Sequence, residues 1–463
     1  MIYVNIGELK DGIKDTIQVK EEGVEVLDRS KLVQKVIDNL IYTAVFSPDE
    51  ETKTAARWLI RRSAAACGAY LSSIQGLYEA MGRGEVGGFT VPAINIRTLT
   101  YQVAQTIFRS LKRLKAGPAI FEIARSEIDY TRQRPAEYAS CVLAAAIKTG
   151  YEGPVFVQGD HFQVSANRYG KDPEAEVKAV KDLIWEAIEA GFYNIDIDTS
   201  TLVDLNQPTV KAQQRLNYSL AAEFTVMIRD LEPSDITISV GGEIGEVGGK
   251  NSTVEELDAF MAGYREQLSS AGDDLKGISK ISVQTGTTHG GVPLPDGSIA
   301  QVKLDFATLE ALSKAAREKY GLAGAVQHGA STLPPEAFDK FPAVGTAEVH
   351  LATGFQNIIY DSPHLPADLK ESIYRYLQEH HINEKKEKDT PEQFIYKTRK
   401  KGFGPFKYEM WHMPEKNREA IMAELEGQFA FLFEKLQIAG TWDLLRKYVR
   451  PVDVPVEAPR VLA

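Results

Sequence analysis

Residues able to do acid–base or metal chemistry recur beside short β-rich runs in this chain. They include Gly159-Asp160-His161, Asp196 and Asp198, Glu243-Ile-Gly-Glu246, Thr288-His289-Gly290, His328-Gly329-Ala330-Ser331 and His350 with Thr353. Half of the eight histidines lie at such places; the others (His364, His380, His381, His412) fall later in the chain. Imidazole nitrogens suit zinc, and a catalytic zinc takes three protein ligands and keeps one position open. A lone histidine is ordinarily a hydrogen-bonded structural residue. Several converging with Asp160 and Glu243 predict a divalent-metal site. Glu243 and Asp198 are candidates to orient the imidazoles or to join the metal shell. Gly290-Gly291 and Gly329 suit either simple turns or a backbone nest for an anion.

Those residues need a scaffold that gathers strand ends. The runs are 89–96, 118–124, 154–160, 193–200, 236–245, 278–287, 324–331 and 346–353. They recur at roughly 37-residue intervals, and most gaps can hold a helix. Eight β-α units in one stretch predict a (β/α)8 TIM barrel, whose active site lies at the C-terminal strand ends. A helical extension over residues 1–85, with helices at Leu32–Val45 and Thr54–Met81, precedes the barrel of 86–365. A helical extension over 366–463 follows. Lys397–Lys401 is read there as a surface loop, with folding over a neighbouring barrel mouth as the alternative.

Composition excludes several classes. The net charge is −11, which argues against a general nucleic-acid binder but leaves room for a local basic pocket. Gly82-Arg-Gly84-Glu-Val-Gly87 matches a dinucleotide fingerprint but precedes the first strand, where that fingerprint would follow one. Cys67 and Cys141 read as small buried hydrophobes and suit a reducing cytoplasm. The early charges of the N-terminus do not make a signal peptide. No apolar run reaches the roughly 18 residues that span a bilayer. A cytoplasmic protein without membrane or nucleic-acid partners is expected.

VPAINI (91–96), GDH (159–161), GGEIGEVGG (241–249), TGTTHGGV (285–292) and QHGASTLP (327–334), in this order, resemble the class II, metal-dependent ketose-bisphosphate aldolases. The resemblance spans roughly residues 75–360. It implies that His161, His289 and His328 hold Zn2+ with Glu243 nearby, other divalent ions being possible. It implies Asp160 as the acid/base at the C4 hydroxyl of a phosphorylated ketose such as fructose 1,6-bisphosphate. Gly290, Ser331 and Thr353 would bind the C1 phosphate. Aldol cleavage or condensation of a ketose phosphate, by a homo-oligomer, is the activity implied.

Three departures stand out. The family's N-x-D-T-D on the last strand is His350-Leu-Ala-Thr353-Gly354 here. Lys250-Asn251 follows Gly248-Gly249 where the family carries acidic residues, and Ala124-Arg125-Ser126 replaces a serine at the end of strand two. His350 is therefore a candidate to replace the missing acid or to join the metal shell. Arg125, with Arg132 and Arg134, is a candidate for forked phosphate binding, against the alternative of solvated loop arginines. A C4 epimerase on the same scaffold, and a non-catalytic partner like the tagatose-bisphosphate aldolase accessory subunits, are the alternative functions.

Overall fold

The fold was obtained as a computed structural model and describes residues 2–21, 23–245, 249–286, 294 and 304–462. After a helix, Ile6–Ile13, comes a hairpin, β1 (Ile17–Lys20) and β2 (Gly23–Val26), and later a short strand β3 (Ala69–Leu71). Eight parallel strands follow: β4 (Val91–Asn95), β5 (Ile120–Ala124), β6 (Gly153–Gln163), β7 (Asn194–Asp198), β8 (Ser239–Gly245), β9 (Lys280–Val283), β10 (Ala325–Gln327) and β11 (Glu348–Leu351). They pair in sequence order, and β11 closes on β4 through Glu348↔Val91 and Leu351↔Ile94. The sheet is a closed (β/α)8 barrel, with a strand in each of the eight runs that the sequence predicted.

The strands are buried on both faces, as parallel barrel strands are. Outward residues such as Ile195 and Ile197 pack under helices. Inward residues alternate with them at period two, and many are polar: Glu122, Gln158, Asp160, Asn194, Asp196, Lys280, Glu348 and His350 are all buried. The barrel interior therefore carries a charged layer below its mouth.

The N-terminal segment is less helical than expected. The predicted helix over Thr54–Met81 ends at Ala66, because Gly68 takes a left-handed turn (φ +87) into β3, which pairs with the start of β6. A second helix, Gln75–Gly82, then crosses the floor of the barrel. Its Tyr78 is fully buried and donates a hydrogen bond to Glu348 inside. The helix Glu50–Ala66 starts where Asp49 accepts from the Thr52 amide (2.9 Å).

Helices Ile37–Phe46 and Glu50–Ala66 pack on Pro135–Thr149, and the long helix Glu415–Lys435 packs on Thr100–Leu114. One apolar core runs through all three segments. The sequence-based reading of Lys397–Lys401 as a surface loop is corrected. A 3-10 turn, Arg399–Gly402, packs on the short helix Arg125–Thr131 at this chain's own barrel mouth. Arg399 is buried there and pairs with Asp361 (2.7 Å), so the turn is anchored rather than solvated.

Candidate active site

A cavity of about 530 Å3 opens at the C-terminal strand ends. Asp160, His161, His328, His350 and Glu122 line its inner part. Arg97, Arg125, Ser331, Thr353 and Lys400 line its outer part.

Adjacent residues on a regular strand point to opposite faces, yet Asp160 and His161 both line this cavity. A bulge explains how. Between Gly159 and Phe162 the register with β7 advances by one residue fewer than along β6, and His161 takes a left-handed conformation (φ 42). Gly159 is required at this step, because a Cβ there would lie 2.4 Å from the ring of Phe162. A similar register shift on β8, between Glu243 and Gly245, lies next to Glu243.

Three imidazoles meet one carboxylate oxygen. Asp160 Oδ1 lies 3.3 Å from His328 Nε2, 3.2 Å from His350 Nδ1 and 3.9 Å from His161 Nε2. The rings of His161 and His328 are 4.1 Å apart, and those of His328 and His350 are 4.0 Å apart. His161 Nδ1 faces Asp198 (3.1 Å) and Glu243 (3.2 Å). Among the described residues, four sets of three donors lie close enough to share a cation: Asp160–His161–His328, His161–Asp198–Glu243, Glu122–Asp160–His350 and Asp196–Glu348–His350. His289 and Gly290 lie outside the described residues.

Below the mouth, Lys280 Nζ contacts Glu348 (2.5 Å), Asp196 (3.0 Å) and Gln158 Oε1 (2.9 Å). Gly241 makes room for this contact, since a Cβ there would lie 2.3 Å from Asp196. Glu348 Oε1 in turn lies 2.6 Å from His350 Nε2. A chain of contacts thus runs from the ammonium through Glu348 to the imidazole facing the cavity.

The electrostatics follow. Burial penalises the Asp160 carboxylate, but the charges of His161 and His350 outweigh it and hold Asp160 well below the usual range. Burial opposes charge on His161 too, but Asp160 and Glu243 hold its pKa well above the ordinary histidine value. Burial and the two neighbouring imidazoles push His328 down, leaving it neutral. Burial raises Glu122 to about 8 and Glu243 to about 7. Perturbed groups clustered in a cleft mark a functional site.

The outer cavity is basic. Arg97 is held by Glu127 (2.8 Å) and Gln356 (2.8 Å), with Thr353 Oγ1 at 3.5 Å. Ser331 Oγ accepts from the amide of Gly354 (3.1 Å), so Ser331 and the start of the helix Thr353–Asp361 share one rim of the cavity. Arg125 lines the cavity but pairs with Glu176 (2.6 Å). Arg134 pairs with Glu186 and, like Arg132, does not line the cavity. Lys400 arrives from the C-terminal extension, and burial lowers its pKa.

Sequence reasoning missed Arg97, Glu122, Lys280, Glu348 and Lys400. For three of them a signal existed. Glu122, Lys280 and Glu348 are single charges inside otherwise apolar strand runs (IFEIA, SKISV, AEVHL). Period two with both faces buried leaves such a charge no place but the barrel interior.

The profile of the class-II fructose-bisphosphate aldolases matches residues 77–406. The chain belongs to that family. The match starts at the floor helix and ends beyond the turn that carries Lys400. A search of curated proteins returned no match. Among solved structures, a glycerol-complexed fructuronate-tagaturonate epimerase from Cohnella laeviribosi is similar at 12% identity. The match covers 92% of this chain and 90% of that one, with a TM-score of 0.57. A probable tagatose 6 phosphate kinase from Sinorhizobium meliloti 1021 is 18% identical, covering 81% and 96% of the two chains with a TM-score of 0.51. At these identities the likeness is one of fold. Family membership implies a divalent metal, and the donor set fits one. Buried imidazoles and carboxylates converge in threes, and Glu122 Oε1 is buried without a hydrogen-bond partner among the described residues.

Proposed function

We propose that this class-II aldolase family member makes and breaks the C3–C4 bond of a ketose carrying an anionic group, in the aldol sense. The supporting observation is the Asp160 carboxylate, kept ionised beside three imidazoles at the barrel mouth. His161, His328 and Glu243 would hold the divalent metal, zinc or a similar ion, with His289 as a further ligand. When bound, that ion polarises the C2 carbonyl as a Lewis acid.

The residues do the rest. Asp160 contacts the imidazoles through Oδ1, and Oδ2 takes the proton of the C4 hydroxyl. The C3–C4 bond then breaks, leaving an aldehyde at C4 and the electron pair at C3. His350 stands where the family's last strand has another residue, and its Nδ1, 3.2 Å from Asp160 Oδ1, holds that carboxylate in place. Arg97, Ser331, Thr353 and Lys400 bind the anionic end, with Gly290 as a further contact for a phosphate. Arg125 shapes that rim through Glu176. An aldolase must also release the aldehyde fragment, past a rim that includes Lys400.

That observation favours a second reading, C4 epimerisation. Lys400, on the anchored Arg399–Gly402 turn, lines the cavity and would slow escape of the fragment. The aldehyde can then present its other face and rejoin. The epimerase from Cohnella laeviribosi, whose likeness runs through both extensions, is named for a reaction of this kind. A non-catalytic role would leave the converging donors without a purpose.

An NMR time course with the Zn2+-loaded protein and an EDTA-treated control separates the readings. Fructose 1,6-bisphosphate, fructose 6-phosphate and a ketohexuronate are the probes. Free aldehyde fragments indicate an aldolase. A C4 epimer without fragments indicates the epimerase. Neither product from any probe, by a protein that binds the metal, would refute aldol chemistry on these substrates.

A further inference from the structure

Glu122, Asp160 and His350 lie on three neighbouring or facing strands and form a donor set apart from the His161 and His328 nitrogens. His350 Nε2 is 2.6 Å from Glu348 Oε1, and Glu348 is kept anionic by Lys280 at 2.5 Å. This is the arrangement in which a carboxylate takes the imidazole N–H and presents the other nitrogen as a ligand. That other nitrogen, Nδ1, lies 2.9 Å from Glu122 Oε2 and 3.2 Å from Asp160 Oδ1. Both oxygens crowd that nitrogen, as ligands of one ion would. Glu122 Oε1 is buried and, among the described residues, has no hydrogen-bond partner, and Glu122 lines the cavity. His350 and Glu122 are 4% and 1% exposed.

The charge balance points the same way. Glu122, Asp160, Asp196 and Glu348 all lie around the His350 imidazole, and one ammonium, Lys280, reaches two of them, Asp196 and Glu348. A buried excess of negative charge is costly unless a cation or protons compensate it. In this structure the imidazole of His350 sits among them as the compensating group.

We propose that Glu122, Asp160 and His350 form a second divalent-cation site beside the one at His161 and His328, with Asp160 shared between the two. A mixed imidazole–carboxylate set accepts Mn2+, Fe2+, Co2+ or Zn2+. Two-metal centres generally hold their ions close enough for one carboxylate to bridge them. Asp160 keeps its second oxygen for the substrate, so the site is compatible with the base role proposed above but does not depend on it.

Mn2+ titration of the full-length protein, read by EPR and equilibrium dialysis, tests this. About two equivalents and an exchange-coupled spectrum are expected. Glu122→Gln should retain about one equivalent with an uncoupled spectrum, and His350→Asn should behave alike. A single uncoupled equivalent in the unaltered protein overturns the second site and leaves the aldol reading standing. No Mn2+ binding at all overturns both. Two equivalents that survive Glu122→Gln overturn the assignment to these residues. The unaltered protein decides the matter should a variant fail to fold.

Discussion

Removing the ammonium at the centre of the barrel tests whether the charged layer is a compensated unit. Lys280→Met keeps most of the buried stem and deletes only the charge. Lys280 Nζ lies 2.5 Å from Glu348, 3.0 Å from Asp196 and 2.9 Å from Gln158, with its side chain 1% exposed. Breaking a buried pair by removing one partner costs about 3–5 kcal/mol, since the orphaned charge stays desolvated. Two carboxylates are orphaned here, so the upper half of that range is expected at pH 8. The loss should shrink at lower pH. Burial already raises Asp196 to about 6 with Lys280 in place. An acid whose folded pKa is raised favours the folded state at low pH and loses that advantage as pH rises through the folded value. Without Lys280 that value rises further, so protonation near pH 5 relieves the repulsion. Urea unfolding at pH 5 and pH 8 measures both numbers, provided the slope is unchanged. Lys280→Met combined with Glu348→Gln should recover at least about 1 kcal/mol relative to additivity, as coupled neighbours do. A loss under about 1 kcal/mol, or strict additivity, would refute the compensated layer.

Other outcomes follow from the same geometry. Asp160→Asn should lower turnover by about 10²–10⁴-fold without changing the circular dichroism, and near-normal turnover would remove Asp160 as the base. Metal affinity at His161 should rise with pH, because Asp160 and Glu243 hold its imidazole protonated and the ion must displace that proton. Calorimetry at pH 6 and pH 8 in buffers of different ionisation enthalpy should show proton release, and pH-independent binding would contradict it. Lys400→Ala should raise KM for an anionic ketose several-fold, with a smaller effect at high salt and little change in kcat. An unchanged KM would place the anionic end elsewhere.

The fold was legible because barrel strands advertise themselves locally. Each of the eight runs holds a strand, since short β-branched stretches separated by helix-length gaps have few other ways to pack. The extensions were less legible. A single glycine at 68 broke a helix that periodicity continued, and β3 formed because β6 offered it an edge. No local pattern in Thr54–Met81 reports the presence of that edge.

Asp160, His161, His328 and His350 were readable as strand-end groups, and the barrel does bring them together at one cavity. The types and order of these residues fix what chemistry is available, because a carboxylate and imidazoles keep their proton and metal preferences in any fold. Which atoms meet is another matter. The bulge that turns Asp160 and His161 to one side depends on how β6 pairs with β7. The Lys280–Glu348–His350 chain exists only because β9 and β11 flank β10 in the closed sheet and both turn these side chains inward. Lys400 joins the cavity from some 240 residues beyond Asp160 in the sequence, by packing that depends on Arg399 and Asp361. The sequence by itself determined the strands, the reactive groups and their order. Tertiary structure decided their partners, their charges and the arrival of Lys400 at the cavity, because burial and Coulomb terms depend on neighbours in space rather than along the chain.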